Sequence, residues 1–383
     1  MAPLATEPRQ RRIANFLAAA VILAFSLLAG SGIFHHAKRQ DFLNIYTGAR
    51  LALEGQFPRL HDPALQLARE QELAGPSRTL VPFVRPHFYA LALSPLALLP
   101  WDSAFVVWIL LQLGFLLALL ILAAQLMGSE SAVLVAMFTA PILGLLHGQD
   151  SYLVALLALL GFRALELGHE TRGGLWWSLL LIKFHLALGP AAALIAARRW
   201  RAFRAFLLGC VLLGAINLAL SGAEGARLYA QMLLNPATEG LYPAPQKLAC
   251  LQGLAATLPL APHWTHLAIG LPIVFSLIRG VRNLHWRTCY ALIQGGALYL
   301  TPHVHLYDWS VLTPAFLSSA GSRNPLRLRG LSLFLLSPLA AAAFLGSIFT
   351  QPLVHLAYLA WLAVLAWAMP SPRWRASRAA PES

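Results

Sequence analysis

Residues 102–127 read DSAFVVWILLQLGFLLALLILAAQLM, one carboxylate followed by 25 positions without a charge. About 20 apolar residues in a helix, rising ~1.5 Å each, cover the roughly 30 Å hydrocarbon core of a bilayer. The stretch therefore predicts a transmembrane helix. Working outward, comparable runs fall at 13–34, 87–100, 130–147, 150–167, 173–197, 204–222, 264–280, 287–300 (continuing irregularly to about 305), 306–320, 329–349 and 353–370. The expected fold is an all-α integral membrane protein, a polytopic helical bundle of about 12 transmembrane segments forming one domain over 1–383. Prolines 95, 141, 190 and 302 suit half-helices around a cavity. The run at 13–34 follows basic residues, as a signal peptide would, but its length favours an uncleaved first helix.

Composition agrees. Hydrophobic residues are 58% of the 383 and charged residues only 11%, with mean hydropathy +0.65. The formal charge of +13 resembles a nucleic-acid signal until the positions are read. Arginines gather at 9–12, 198–204, 279–287, 323–329 and 373–378, between apolar runs, and the three interior clusters contain no acid. That is the pattern of cytoplasmic loops, so the charge reports topology and nucleic acid is not an expected partner. Both termini are placed in the cytoplasm. Cys210, Cys250 and Cys289 have no metal or disulfide spacing and read as packing residues.

Two segments are too polar to span, 35–86 and about 223–262, and both are expected on the extracytoplasmic side. In the first, Asp41 opens DFLNIYTGARLAL, whose apolar positions give a helical stripe and an amphipathic helix at the membrane surface. A second helix follows HDP, with Asp62 as cap, Pro63 in the first turn and Gly75 closing it. Capping suffices for Asp62. Asp41 is read either as another cap or as a base held at the membrane face; the chain has only five aspartates.

Four more stretches carry chemistry. In LLIKFHLALGP, Lys183 lies deep in an apolar run, where a charge usually faces a protein interior or cavity and here suits an anionic ligand. His185, two positions on, is not expected to share its helix face. In YLTPHVHLYDWS, Thr301 and Pro302 read as the start of a helix with His303 and His305 on its first turn, a ready anion site. Asp308 is placed to tune His305, and Tyr307 lies one turn from His303. A metal site or a satisfied polar core is the alternative, and no ligand set completes the metal site. In VPFVRPHFY, Arg85 stands at the interface as a lipid anchor or substrate ligand. In LLHGQDSYL, Asp150 reads as a cap and Gln149 has no structural task.

In this order, Asp-Phe after the first span, GARLALEGQ, His-Asp-Pro, SPLALLP, HGQ, a mid-span lysine before RRWR, and HLYD resemble the polyprenol-phosphate-mannose-dependent mannosyltransferases of the GT-C class, glycosyltransferase family 87. The resemblance covers roughly 38–320. It implies a GT-C-like membrane glycosyltransferase with Asp41 as catalytic aspartate. The family's Tyr-Pro-Pro is here Arg85-Pro86-His87 and its Lys-Pro is Lys183-Phe184, which leaves the sugar and acceptor open. The expected reaction is inverting transfer of a hexose, mannose by resemblance, from a polyprenyl-phosphate sugar donor to a lipid-linked or glycan acceptor. Lys183, His303, His305 and Arg85 would hold the donor phosphate, supported by Asp308, Tyr307 and Gln149. No cofactor and no metal are expected, since the outer loop has no adjacent acidic pair. A flippase or transporter, or a glycan polymerase or ligase, is the rival reading.

Overall fold

The computed structural model describes residues 41–76, 79–234, 245–258, 262–281, 285–320, 324–346 and 351–367. The expected first span, 13–34, lies outside them. The described residues are helical throughout, with no strand among them. In chain order the helices are α1 (Asp41–Leu53), α2 (Pro63–Ala74), α3 (His87–Leu93), α4 (Trp101–Met127), α5 (Ser129–Met137), α6 (Thr139–His147), α7 (Ser151–Glu166), α8 (Glu170–Ser178), α9 (Phe184–Ala196), α10 (Trp200–Leu234), α11 (Leu251–Thr257), α12 (Pro262–Val281), α13 (Trp286–Leu300), α14 (Thr313–Ala320), α15 (Leu326–Leu336), α16 (Pro338–Gly346) and α17 (Gln351–Trp367). Short 3-10 turns at Phe57–Arg59, Ser94–Leu98, Leu179–Lys183, Pro245–Lys247 and Leu306–Leu312 connect several of them.

Three helical stretches are long and apolar enough to cross a membrane: α4, Glu170–Ala196 and α10. Two further pairs qualify as bent spans, α5 with α6 at 44° and α15 with α16 at 62°, so the described residues offer three to five crossings by length and composition. The remaining apolar runs form shorter helices. One expected boundary reappears inside a helix: α10 runs on to Leu234, but Gly222 (φ 63°) interrupts it where the span was expected to end. Only 22% of the most apolar window of α10 is buried, against 44% for α4, so α10 leaves most of that apolar window exposed.

The helices group into two compact units. The first is built on the described residues within Met1–Met137, Pro141–Leu156 and Cys210–Tyr242, the second on those within Phe138–Ala140, Leu157–Gly209 and Pro243–Ser383.

In the first unit α1 departs from its expected amphipathic form. Every residue from Phe42 to Ala49 is buried, Asn44 and Thr47 included, because α2, α3, the 94–98 turn and α4 pack around it. Phe42 meets Phe105 with ring centroids 5.1 Å apart, and Gly48 lies so close to Phe83 that a Cβ would sit 2.5 Å from its ring. The punctuation of α2 is as expected: the Asp62 carboxylate accepts from the N–H groups of Ala64 (3.0 Å) and Leu65 (3.3 Å), Pro63 is in the first turn, and Gly75 closes the helix at φ 98°. Polar side chains anchor α2 to the segment that follows. Gln66 donates to the Leu60 carbonyl and accepts from Phe83 N–H, and Glu70 accepts from Val81 N–H. These bonds satisfy backbone groups of an extended stretch that no helix serves.

In the second unit small residues set the helix spacing, as is common where helices meet in lipid. A Cβ on Gly174 would lie 2.1 Å from the Ala202 carbonyl oxygen, so α8 crosses the first turns of α10 almost backbone to backbone. Gly189 gives Gln294 of α13 the same access to α9.

Candidate functional site

The second unit gathers most of the expected residues. The helical stretch from Glu170 breaks at Lys183, which ends the 3-10 turn and stands at φ −130° before α9 begins. Pro190, expected to break the helix, lies inside α9 instead. The change of helical period at Lys183 alters which side chains share a face. Lys183 and His185 both reach Asp308: Lys183 Nζ is 2.8 Å from Oδ1 and His185 Nε2 is 3.9 Å from Oδ2. His185 was excluded on regular-helix spacing, and the signal that could have found it is the lysine itself, an N-cap in the middle of an apolar run.

The helix start expected at Thr301 is also corrected. Thr301 closes α13, its hydroxyl donating to the Ala297 carbonyl, and the next helical turn begins only at Leu306. His303 therefore lies in the connection, held at φ 68°, a left-handed conformation that a non-glycine residue rarely adopts. His305 is the N-cap, and the Asp308 carboxylate accepts its backbone N–H at 3.0 Å in a capping box. Asp308 thus serves the lysine and the cap as well as facing the His305 ring. Tyr307 stacks on His305, centroids 4.8 Å apart, and its ring lies 5.0 Å from Lys183 Nζ. His303 and His305 meet edge to face at 5.3 Å.

Lys183 and Asp308 are each 3% exposed in their side chains. A charged pair so buried survives only because each partner compensates the other and the hydrogen bonds are made. Around it stand three imidazoles and a phenol. Such a cluster can hold an anion and move a proton. Among the described residues, no three His, Cys, Asp or Glu side chains come together as a metal-holding group.

Asp41, Arg85 and Gln149 belong to the first unit. Asp41 is the half-buried first residue of α1. A Schellman turn at Gly148 (Gly148 N–H to Leu145 O, Gln149 N–H to Gly144 O) ends α6 and presents Gln149 and Asp150. Arg85 donates from Nε and Nη2 to the two Asp150 oxygens, each at 3.1 Å, and from Nη2 to Gln149 Oε1 at 2.6 Å. Arg85 is no lipid anchor, since only 8% of its side chain is exposed. Its carbonyl accepts from His61 Nε2 at 2.9 Å, which leaves the buried Nδ1 of His61 as a lone pair without a partner. Burial and the neighbouring His87 push the His61 imidazole down to about 3, against that hydrogen bond. Asp62 behaves oppositely: burial raises its carboxyl, but the Arg59 hydrogen bond and the N–H groups of Leu65 and Ala64 outweigh it and hold it below the usual carboxylate range.

Residues 83–302 match the model of glycosyltransferase family 87. The matched residues include Arg85, Gln149, Lys183 and His185, and end just before His303. No curated protein and no solved structure matches the chain.

Proposed function

Because the chain belongs to glycosyltransferase family 87 and is a glycosyltransferase, we propose that it transfers a hexose, mannose in this reading, from a polyprenyl-phosphate donor to a lipid-linked or glycan acceptor, with inversion. The observation that carries the reading is the buried Lys183–Asp308 pair ringed by His185, His303, His305 and Tyr307. A lipid phosphate keeps its tail in the bilayer, so the residues that meet it must hold charge inside an apolar chain.

The chemistry divides between two roles. Asp41 takes the proton of the acceptor hydroxyl as its oxygen attacks the anomeric carbon, a general-base contribution of roughly 10²–10⁴-fold. The bond from that carbon to the phosphate oxygen breaks, and the polyprenyl phosphate departs with a negative charge. Lys183, set in place by Asp308, and the imidazoles offset that charge as it develops. Arg85, backed by Asp150 and Gln149, is assigned to shaping the first unit beside α3. The proposed topology has about 12 crossings, cytoplasmic termini, and residues 35–86 with the active site on the extracytoplasmic face.

The test is to incubate the purified protein with mannosyl and arabinosyl polyprenyl phosphates and a lipid-linked acceptor, then analyse the products. A new mannosylated acceptor is expected. Arabinosyl transfer alone would remove the mannose assignment, and an intact donor moved between leaflets would replace the enzyme by a flippase.

A further inference from the structure

One end of the second unit carries a cavity of about 430 Å³ lined by Glu166, Arg199, His285, Trp286 and Arg287. None of these has a part in the transfer chemistry. The backbone explains the assembly. Arg198 ends α9 in the left-handed region (φ 55°), and the N–H groups of Arg198 and Arg199 bond back to Ile195 and Leu194 in a Schellman turn. The turn sends Arg199 over the Trp286 ring, 4.3 Å from its centroid, with Nη1 donating to the Leu165 carbonyl at 2.9 Å and lying 3.4 Å from Glu170. Arg287 donates from Nε to Glu166 at 2.7 Å. His285 caps α13 by accepting the Arg287 N–H on Nδ1 at 3.4 Å, so its proton sits on Nε2.

After these bonds, Arg199 Nε and Nη2, Arg287 Nη1 and His285 Nε2 remain as donors, and Trp286 Nε1 is buried without a partner. Among the lining residues the side-chain acceptors are Glu166, whose Oε2 takes Arg287, and His285 Nδ1, which takes the Arg287 N–H. Donors and positive charge in excess of acceptors fit an oxyanion with several oxygens, and the planar guanidinium fork matches phosphate. Arg198, Arg201 and Arg204 stand exposed on the adjoining turn and add to the field. The surroundings give the source of the phosphate. Trp200, 49% exposed, opens α10 at this end, and Leu207 and Leu208 beyond it are at least half exposed. An exposed tryptophan bordering exposed leucines marks the headgroup level of a bilayer. We propose that this cavity binds the phosphate of an anionic glycerophospholipid from the leaflet it faces.

The test titrates the full-length purified protein in detergent with phosphatidylglycerol, phosphatidylcholine or inorganic phosphate, and counts bound lipid by native mass spectrometry. Phosphatidylglycerol is expected to bind more tightly than phosphatidylcholine and to resist millimolar inorganic phosphate. Arg287→Gln should weaken it about fivefold, while Arg327→Gln, an exposed arginine elsewhere in the unit, should not. Glu166→Gln keeps a partner for Arg287 but removes the cavity's negative charge, and should bind the lipid more tightly than wild type. Equal affinity in wild type and Arg287→Gln, weaker binding in Glu166→Gln, or displacement by inorganic phosphate would each overturn the proposal.

Discussion

Lys183 and Asp308 are 125 positions apart in sequence and 2.8 Å apart in space, so neither charge explains itself alone. Removing one partner of a buried pair strands the other, typically at about 3–5 kcal/mol. Lys183→Met is therefore expected to lower the thermal unfolding midpoint sharply, and its inactivity would not separate folding from catalysis. Lys183→Met with Asp308→Asn does separate them. Asparagine still accepts the His305 N–H, and no charge is left buried. The double variant should recover most of the midpoint yet remain inactive, if Lys183 offsets the donor phosphate; restored transfer would end that role. For Asp41 the sharpest substitution is asparagine, which caps a helix about as well as aspartate but cannot take a proton. The transfer rate should fall by roughly 10²–10⁴ with stability unchanged. Asp62→Asn, at an observed cap, should leave the rate near wild type, and an active Asp41→Asn enzyme would sink the base. The lysine's depth was legible in the sequence because a charge among apolar residues stands out. Its partner was not, since Asp308 also fits a local role beside His305.

Elements were legible where chemistry punctuates them and illegible where lipid removes the contrast. Asp62, Pro63 and Gly75 bound α2 as expected, each through a specific backbone need. Within apolar runs both faces of a helix are apolar, so the break at Lys183 and the bend between α5 and α6 carry no periodic mark. Thr301 and Pro302 imitate a helix start although the threonine ends α13. Close helix crossings leave a clearer trace in glycine. In Gly174→Ala the new Cβ would meet backbone atoms of Ala202 and Phe206, which cannot turn aside, so α8 and α10 must separate. Overpacking of this kind costs about 1–3 kcal/mol. Gly114→Ala in α4 meets nothing within 4 Å and should be neutral or slightly stabilising, by about 0.5–1 kcal/mol. Equal unfolding midpoints for the two variants would contradict the crossing. The burial of His61 against His87, ring centroids 4.6 Å apart, adds a pH dependence. His61 stays neutral in the fold down to about pH 3, whereas unfolded it takes a proton near 6.5. The unfolded state thus binds more protons between those values, and stability should be full above pH 6.5 and decline as pH falls toward 3. Midpoints measured across that range should fall less steeply in His61→Gln than in wild type.

At the scale of the whole molecule, the class of protein follows from composition, because 58% hydrophobic residues in 383 have no soluble use. The number of crossings did not follow in the same way. Helices such as α7 and α13, with 16 and 15 residues, are shorter than a full crossing, and sequence cannot show whether such a run spans or turns back. Sidedness rests on a different physical cue, the exclusion of arginine from translocated short loops. That cue makes an all-or-none prediction. A single cysteine at Gly75, which closes α2 in a polar segment with no surrounding arginine cluster, should react with a membrane-impermeant maleimide added to intact cells. One at Arg201, exposed on the first turn of α10 among Arg198, Arg199 and Arg204, should react only after the membrane is opened. Native Cys210, Cys250 and Cys289 are first replaced, so that each variant reports one position. The reverse pattern would turn the molecule over: it would place Asp41 and its loop in the cytoplasm, where the arginine rule forbids the neighbouring clusters to be translocated. Labelling of both positions from outside would show that the segments between them cross an even number of times.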